Sequence, residues 1–170
     1  MPSLEEYLQM VAYKTGTLAR ISAKLSTIVV GGTDAQLEAL GQFAETIGIA
    51  FQIQDDILNL VGEKYAASRE AIGEDISEGK RTMMVIHACQ HMEEGKVGRL
   101  EEILDMHTKD QVLINEAIDI LKEAKSIEYS QEYARRLVVS AWDSVDDILE
   151  DSQAKRHLKL FADYLVDRDL

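Results

Sequence analysis

A single proline, Pro2, stands in 170 residues, so nothing beyond the N-terminus removes a backbone donor from a helix interior. The one cysteine, Cys89, excludes an intrachain disulfide; it closes the apolar run Met83 to Ala88 and reads as a small packing residue rather than a nucleophile. Aromatic residues make up only 6%, while Leu, Ile, Ala, Glu and Lys are abundant, which disfavours strands and predicts an all-α fold. Basic residues are scarce: 18 Lys and Arg stand against 31 Asp and Glu, a net charge of −13. That excludes the dense cationic surface a nucleic-acid partner needs. A small phosphate-bearing molecule would have to be received through metal ions and a few placed lysines. No run approaches the roughly 18 apolar residues of a membrane span, and the N-terminus lacks a basic-then-apolar leader, so a cytoplasmic protein is expected. There is no internal repeat, low-complexity tract or linker. With 46% hydrophobic residues the chain suffices for one core, and a single domain over residues 1–170 is expected.

Ser3 and Glu6 form a capping box, and a first helix is predicted from about Leu4 to Val30, ending at Gly31-Gly32. Its apolar positions include Leu4, Leu8, Val11, Leu18, Leu25 and Ile28, and Lys14-Thr15-Gly16 interrupts the pattern. Thr33-Asp34 caps a second helix from about Asp34 to Val61, closed by Gly62. From Glu63 to Glu78 the mixed charges, including Lys64 and Arg69, and the weak periodicity predict a loop or short helical turn. A helix from Thr82 to Glu94 should bury Met83, Val85, Ile86 and Cys89, with Gly95 and Gly98 bracketing a turn. Amphipathic helices at about Arg99 to Met106, Lys109 to Lys122, Ser126 to Asp151 and Ala154 to Asp167 follow.

The second helix carries the most informative pattern. At ~100° per residue, Gln52, Asp55, Asp56 and Asn59 fall within one arc, which Gly41 and Gly48 extend. Phe43, Ile47, Ala50, Ile57 and Val61 occupy the far, core-facing side. Internal glycines cost a helix ~1 kcal/mol each, so a groove along this face is expected. Two adjacent carboxylates with an amide one turn on suit Mg²⁺ bound through substrate phosphates; taken alone, they also fit two charges on a solvated face. Other candidates carry less. His87 and His91 are four apart but lack a third ligand, so they read as surface or core histidines. Asp143, Asp146, Asp147, Glu150 and Asp151 read as a solvated stripe, and Trp142 as core or interface. In isolation Lys14 and Lys80 are surface charges and Asp75 a cap.

The segment Phe51-Gln-Ile-Gln-Asp-Asp-Ile-Leu-Asn59, followed by Gly73-Glu-Asp-Ile-Ser-Glu-Gly-Lys-Arg-Thr82 and preceded by Tyr13-Lys-Thr-Gly16, resembles the second aspartate-rich region and the lysine-threonine helix of the trans-isoprenyl diphosphate synthases, the polyprenyl synthetase family. Asn59 stands where the family motif often has a third Asp. The resemblance implies an antiparallel helix bundle, the C-terminal half of the isoprenoid synthase fold. It assigns Lys14 and Lys80 to a substrate diphosphate, and Thr15 and Gln52 to the developing carbocation. To Mg²⁺ it assigns Asp55 and Asp56, with Asn59 as a weak, water-mediated partner and Asp75 in the metal or lysine-positioning shell. The first aspartate-rich motif and the homoallylic-diphosphate residues of full-length synthases have no counterpart here. The expectation is therefore the C-terminal subunit of a split prenyltransferase, active in a hetero-oligomer with an N-terminal half-synthase on an allylic diphosphate and isopentenyl diphosphate. A non-catalytic subunit that modulates a complete synthase is the alternative, and a fragment of a longer chain the third.

Overall fold

The computed structural model describes residues 1–61 and 72–167. Gly62, Lys64, Arg69 and the first part of the expected 63–78 loop lie outside the described residues. Every described element is helical: α1 (Leu4–Val11), a π-helical turn (Ala12–Gly16), α2 (Thr17–Val29), α3 (Asp34–Val61), α4 (Glu74–Ser77), α5 (Met83–His91), α6 (Glu94–Asp105), α7 (Gln111–Glu123), α8 (Ser126–Asp143) and α9 (Gln153–Asp167). The described residues gather into two compact units, one of Met1–Tyr7 with Asp55–Gln131 and one of Leu8–Gln54 with residues 132–167. The long helix α3 contributes residues to each.

Both predicted N-terminal caps form. Ser3 N–H donates to Glu6 Oε2 at 2.8 Å while Glu6 N–H donates to Ser3 Oγ at 3.1 Å. Thr33 and Gln36 make the same reciprocal pair at the start of α3, with bonds of 3.0 and 3.2 Å. In the unit built on the end of α3, α5 is buried nearly all round: Met83, Met84, Val85, Ile86 and Ala88 are all inside. Leu100, Ile103 and Leu104 of α6 and Ile114, Ile118 and Leu121 of α7 complete that core. The Arg99 guanidinium forks onto both oxygens of Glu116 at 2.7 and 2.9 Å, and so ties α6 to α7. In the other unit, α2 and α3 run as an antiparallel hairpin across a short connection, marked by Arg20–Glu45 at 3.2 Å and Lys24–Glu38 at 2.7 Å. Its core holds Phe43, Ile47, Trp142, Val145 and Ala162, with Phe43 edge-on to Trp142 at 6.1 Å.

Several expected boundaries move, each for an identifiable reason. The first helix is not one α-helix: at Ala12–Gly16 it widens to π geometry, and both the Thr17 N–H and its Oγ1, the latter at 3.0 Å, donate to the Ala12 carbonyl. Gly95 and Gly98 lie inside α6 rather than bracketing a turn, because three fully buried aliphatic residues hold that helix despite them. The predicted long helix from Ser126 ends at Asp143, where Val145 turns fully inward and Lys155 Nζ caps the carbonyls of Asp146 and Leu149 at 2.5 and 3.1 Å. Asp146 and Asp151 of the acidic stripe also pair with Lys155. The fifth helix stops at His91, Cys89 is only half-buried, and Val61 is exposed rather than core-facing. His87 and His91 stack at 4.1 Å, and His87 stacks on Tyr129 and meets Ser126 Oγ at 3.0 Å, so the pair is a packing motif.

Candidate active site

The π turn delivers the lysine-threonine motif to α3. A Cβ built on Gly48 would lie 2.9 Å from Gly16 Cα and 3.5 Å from the Thr15 carbonyl, so two backbones touch here with no side chain between them. This contact seats Thr15 one turn from Gly48 along α3, where its Oγ1 donates to Gln52 Oε1 at 3.0 Å. Residues 15 and 52, which the resemblance assigns to the same carbocation, are thus hydrogen-bonded to each other. Lys14, on the same wide turn, is exposed. The expected groove over Gly41 and Gly48 is not open. Gly48 receives the π turn, and the aliphatic stem of Lys24 lies over Gly41, its Cε 2.6 Å from where a Cβ would stand. The room is displaced to the apolar flank of α3, where Thr15, Ala19, Gly48, Phe51, Leu158 and Phe161 line a cavity of about 330 Å³.

In the other unit, the end of α3 carries the carboxylates. Asp55 is half-buried; Asp56 is 8% exposed and accepts the Tyr7 hydroxyl at Oδ2 at 2.8 Å. Burial, reinforced by the Asp56 carboxylate, pushes the Tyr7 phenol far above its ordinary value, so it remains a donor at any working pH. Asn59 Oδ1 accepts the Asp75 N–H at 3.0 Å and its carbonyl accepts the Gly73 N–H at 2.9 Å, which fixes the start of α4 to the end of α3. Gly73, at φ 83°, takes a backbone conformation that suits glycine. Asp75 Oδ1 holds Lys80 Nζ at 2.6 Å, and Glu78 holds the same ammonium at 2.7 Å. Burial raises the Asp75 carboxyl above the ordinary carboxylate range in spite of Lys80. Burial also opposes the charge on Lys80, but its two carboxylate partners win and raise it, so the ammonium stays charged. Asp75 is therefore placed to orient Lys80. The sequence reading missed Tyr7: its hydroxyl meets a partner 49 positions away, and periodicity cannot see that.

A sequence model of the family described as Polyprenyl synthetase matches residues 1–121. The chain belongs to the polyprenyl synthetase family. It is 44% identical over 131 residues to a short chain isoprenyl diphosphate synthase of Methanocaldococcus jannaschii, covering 76% of this chain and 39% of that one. With a second short chain isoprenyl diphosphate synthase, from Methanothermobacter thermautotrophicus, it shares 34% identity over 97% of its own length and 50% of the relative's. The crystal structure of a geranylgeranyl pyrophosphate synthetase from Pyrococcus horikoshii superposes with a TM-score of 0.87 at 33% identity, over 99% of this chain and 50% of that one. The chain thus spans about half the length of the curated relatives it matches.

For a polyprenyl synthetase, the donor set at the end of α3 can be tested against a divalent metal. No three His, Cys, Asp or Glu side chains among the described residues form a group able to cage an ion. By donor type alone, the Asp55 and Asp56 carboxylates would suit a hard cation that completes its shell with water and phosphate oxygen, as Mg²⁺ does. Tyr7→Phe keeps the buried ring and removes one donor from a buried carboxylate. It should destabilise the protein by about 1–3 kcal/mol in urea unfolding. A variant as stable as the parent would show that the Tyr7 hydroxyl does not support Asp56.

Proposed function

We propose that this chain is the C-terminal subunit of a split prenyltransferase, completed by a helical partner that carries the first aspartate-rich motif. The observation that carries the reading is the Thr15–Gln52 pair, two neutral oxygens brought to 3.0 Å by a backbone-to-backbone helix contact. An oxygen dipole beside an allylic carbon lowers the barrier to ionisation without offering a nucleophile that would trap the cation. Lys14 and Lys80 bind the diphosphate, and Asp75 and Glu78 set the direction of the Lys80 ammonium. Asp55 and Asp56 are the metal ligands, with Tyr7 fixing Asp56 and Asn59 holding α4 in place. Bound there, Mg²⁺ supplies charge neutralisation for the departing diphosphate. The C–O bond of the allylic diphosphate breaks, isopentenyl diphosphate adds its double bond to the cation, and loss of a proton gives a chain one isoprene unit longer and free pyrophosphate. The apolar cavity bordering Thr15 suits a hydrocarbon rather than a polar ligand. No described helix is long and apolar enough to cross a membrane, and we place the reaction in the cytoplasm.

Product formation from an allylic diphosphate, isopentenyl diphosphate and Mg²⁺ tests the proposal, with the chain alone and mixed with the half-synthase chain of the same organism. Turnover is expected only in the mixture, at least 100-fold above either chain separately. Turnover by this chain alone would overturn the split-subunit reading.

A further inference from the structure

Two residues at the end of α6 break the local rules for a helix terminus. Asp105 puts a carboxylate on the negative end of the helix dipole, and α6 has no basic residue in its last turn to offset it. His107, two residues on, takes φ 47°, a left-handed conformation that is costly for a residue with a Cβ and that glycine usually fills. Both side chains are exposed, so core packing demands neither.

What they face explains them. Helix α4 is a single turn, too short to hold its own shape, and it is followed by a second left-handed residue, Gly79 at φ 68°. The Gly79 N–H donates to the Ile76 carbonyl at 3.0 Å and the Lys80 N–H to the Asp75 carbonyl at 2.9 Å, a Schellman closure that fixes where Lys80 leaves the helix. The end of α6 presses on that closure. A Cβ built on Gly79 would stand 2.6 Å from His107 Cε1 and 2.7 Å from the Leu104 carbonyl oxygen, so the imidazole lies against the bare glycine. The Arg81 guanidinium spans the same junction: Nη1 donates to the Gly79 carbonyl and Nη2 to Asp105 Oδ1, each at 2.5 Å. Lys80 therefore stands between two neighbours that are both pinned to α6, while Asn59 secures the start of α4 to α3.

We propose that Arg81, Asp105 and His107 are positioning residues, which hold the backbone on either side of Lys80 against α6 and so fix the direction of its ammonium toward a diphosphate. The proposal rests on the prenyltransferase reading for the identity of the ligand and deepens it by naming what supports the lysine. Asp75 and Glu78 set the ammonium from one side; the end of α6 sets the backbone that delivers it.

The test has two readouts on the full chain: proton exchange of the lysine ammonium groups by NMR, with Lys80→Met assigning the signal, and calorimetric titration with inorganic pyrophosphate in Mg²⁺. The variants are Arg81→Gln, Asp105→Asn and His107→Gly, and Ile103→Val, which trims the buried side of α6 away from the loop, is the control. His107→Gly separates positioning from stability. Glycine relieves the left-handed conformation while loosening the unfolded chain, so this variant should melt within about 4 °C of the parent. In Arg81→Gln and His107→Gly the Lys80 ammonium should nevertheless exchange about 10-fold faster and pyrophosphate should bind about 10-fold more weakly, with Asp105→Asn changed in the same direction. Ile103→Val should stay within about 2-fold of the parent in both readouts. Any variant that fails to fold is replaced by Arg81→Lys, which keeps a charge opposite Asp105 but lacks the fork that also reaches the Gly79 carbonyl. Unchanged Lys80 exchange in the folded variants would overturn the proposal, as would a parent Lys80 ammonium already as fast as that of exposed Lys122. An equal change in Ile103→Val would overturn it too, since the effect would then be general loosening. Faster Lys80 exchange, with pyrophosphate affinity the same in the parent and Lys80→Met, leaves the support standing and sinks the diphosphate role of Lys80.

Discussion

Asp55→Asn and Asp56→Asn should each lower product formation by the assembled enzyme about 1,000-fold, the rate equivalent of roughly 4 kcal/mol of lost charge stabilisation in the transition state. The two variants should differ in everything else. Asp55 is half-buried, so its amide replacement leaves the fold nearly intact. Asp56 is buried beneath the Tyr7 hydroxyl, and an amide oxygen can still accept that hydrogen bond while the charge is gone. Alanine cannot: Asp56→Ala strands the Tyr7 donor in a dry site and should add about 1–3 kcal/mol of destabilisation to the loss of turnover. Steady-state rates at saturating Mg²⁺, thermal unfolding and sedimentation of the complex separate these contributions. Full turnover by both Asn variants in an intact complex would move the chain to the other reading, an interaction subunit without catalytic carboxylates.

The second large effect concerns the glycine at the helix contact. Gly48→Ala should destabilise the protein by about 1–3 kcal/mol and Gly48→Val by more, because the new Cβ meets Gly16 Cα at 2.9 Å and the Thr15 carbonyl at 3.5 Å. Both are backbone atoms, and neither can swing aside. Gly41→Ala meets the Lys24 stem, Cε at 2.6 Å and Cγ at 2.9 Å, side-chain atoms that can yield more than a backbone can. Its cost is expected to be partly offset by the ~1 kcal/mol that alanine gains over glycine in a helix, and so to fall below that of Gly48→Ala. Gly95→Ala meets nothing within 4 Å and should stabilise α6. Urea unfolding of the four variants gives the ranking directly. If Gly48→Ala proved as mild as Gly41→Ala, the backbone contact would not be what positions Thr15.

The sequence reading succeeded where signals are local. The Ser3–Glu6 capping box, a cap at Thr33 and the bounds of α3 follow from adjacent residues and appear in the structure, although the partner of Thr33 is Gln36. The motif residues Thr15 and Gln52 meet as the resemblance implied. What escaped was decided by tertiary contact. The irregularity at Lys14-Thr15-Gly16 is visible in the periodicity, but the π turn there and the approach of Gly16 to Gly48 are not. Glycines that suggested an open groove instead accept a backbone and a lysine stem, because composition does not reveal which neighbour uses the room. The exposure of Leu18, Leu25 and Ile28 was equally hidden: their spacing is that of a core-facing helix, and only the ion pairs of Arg20 and Lys24 show which side faces α3.

The π turn also works as a phase shifter. Tyr7 lies before it and grips Asp56; Thr15 lies within it and grips Gln52, and both acceptors sit on one helix. One residue fewer between the two would return the turn to α geometry and rotate everything upstream by ~100° about the helix axis. Between Leu8 and Thr15 the chain can change its letters more readily than its length, since an insertion or deletion there would undo the wide turn that sets Gly16 against Gly48 and the Thr15 hydroxyl on Gln52.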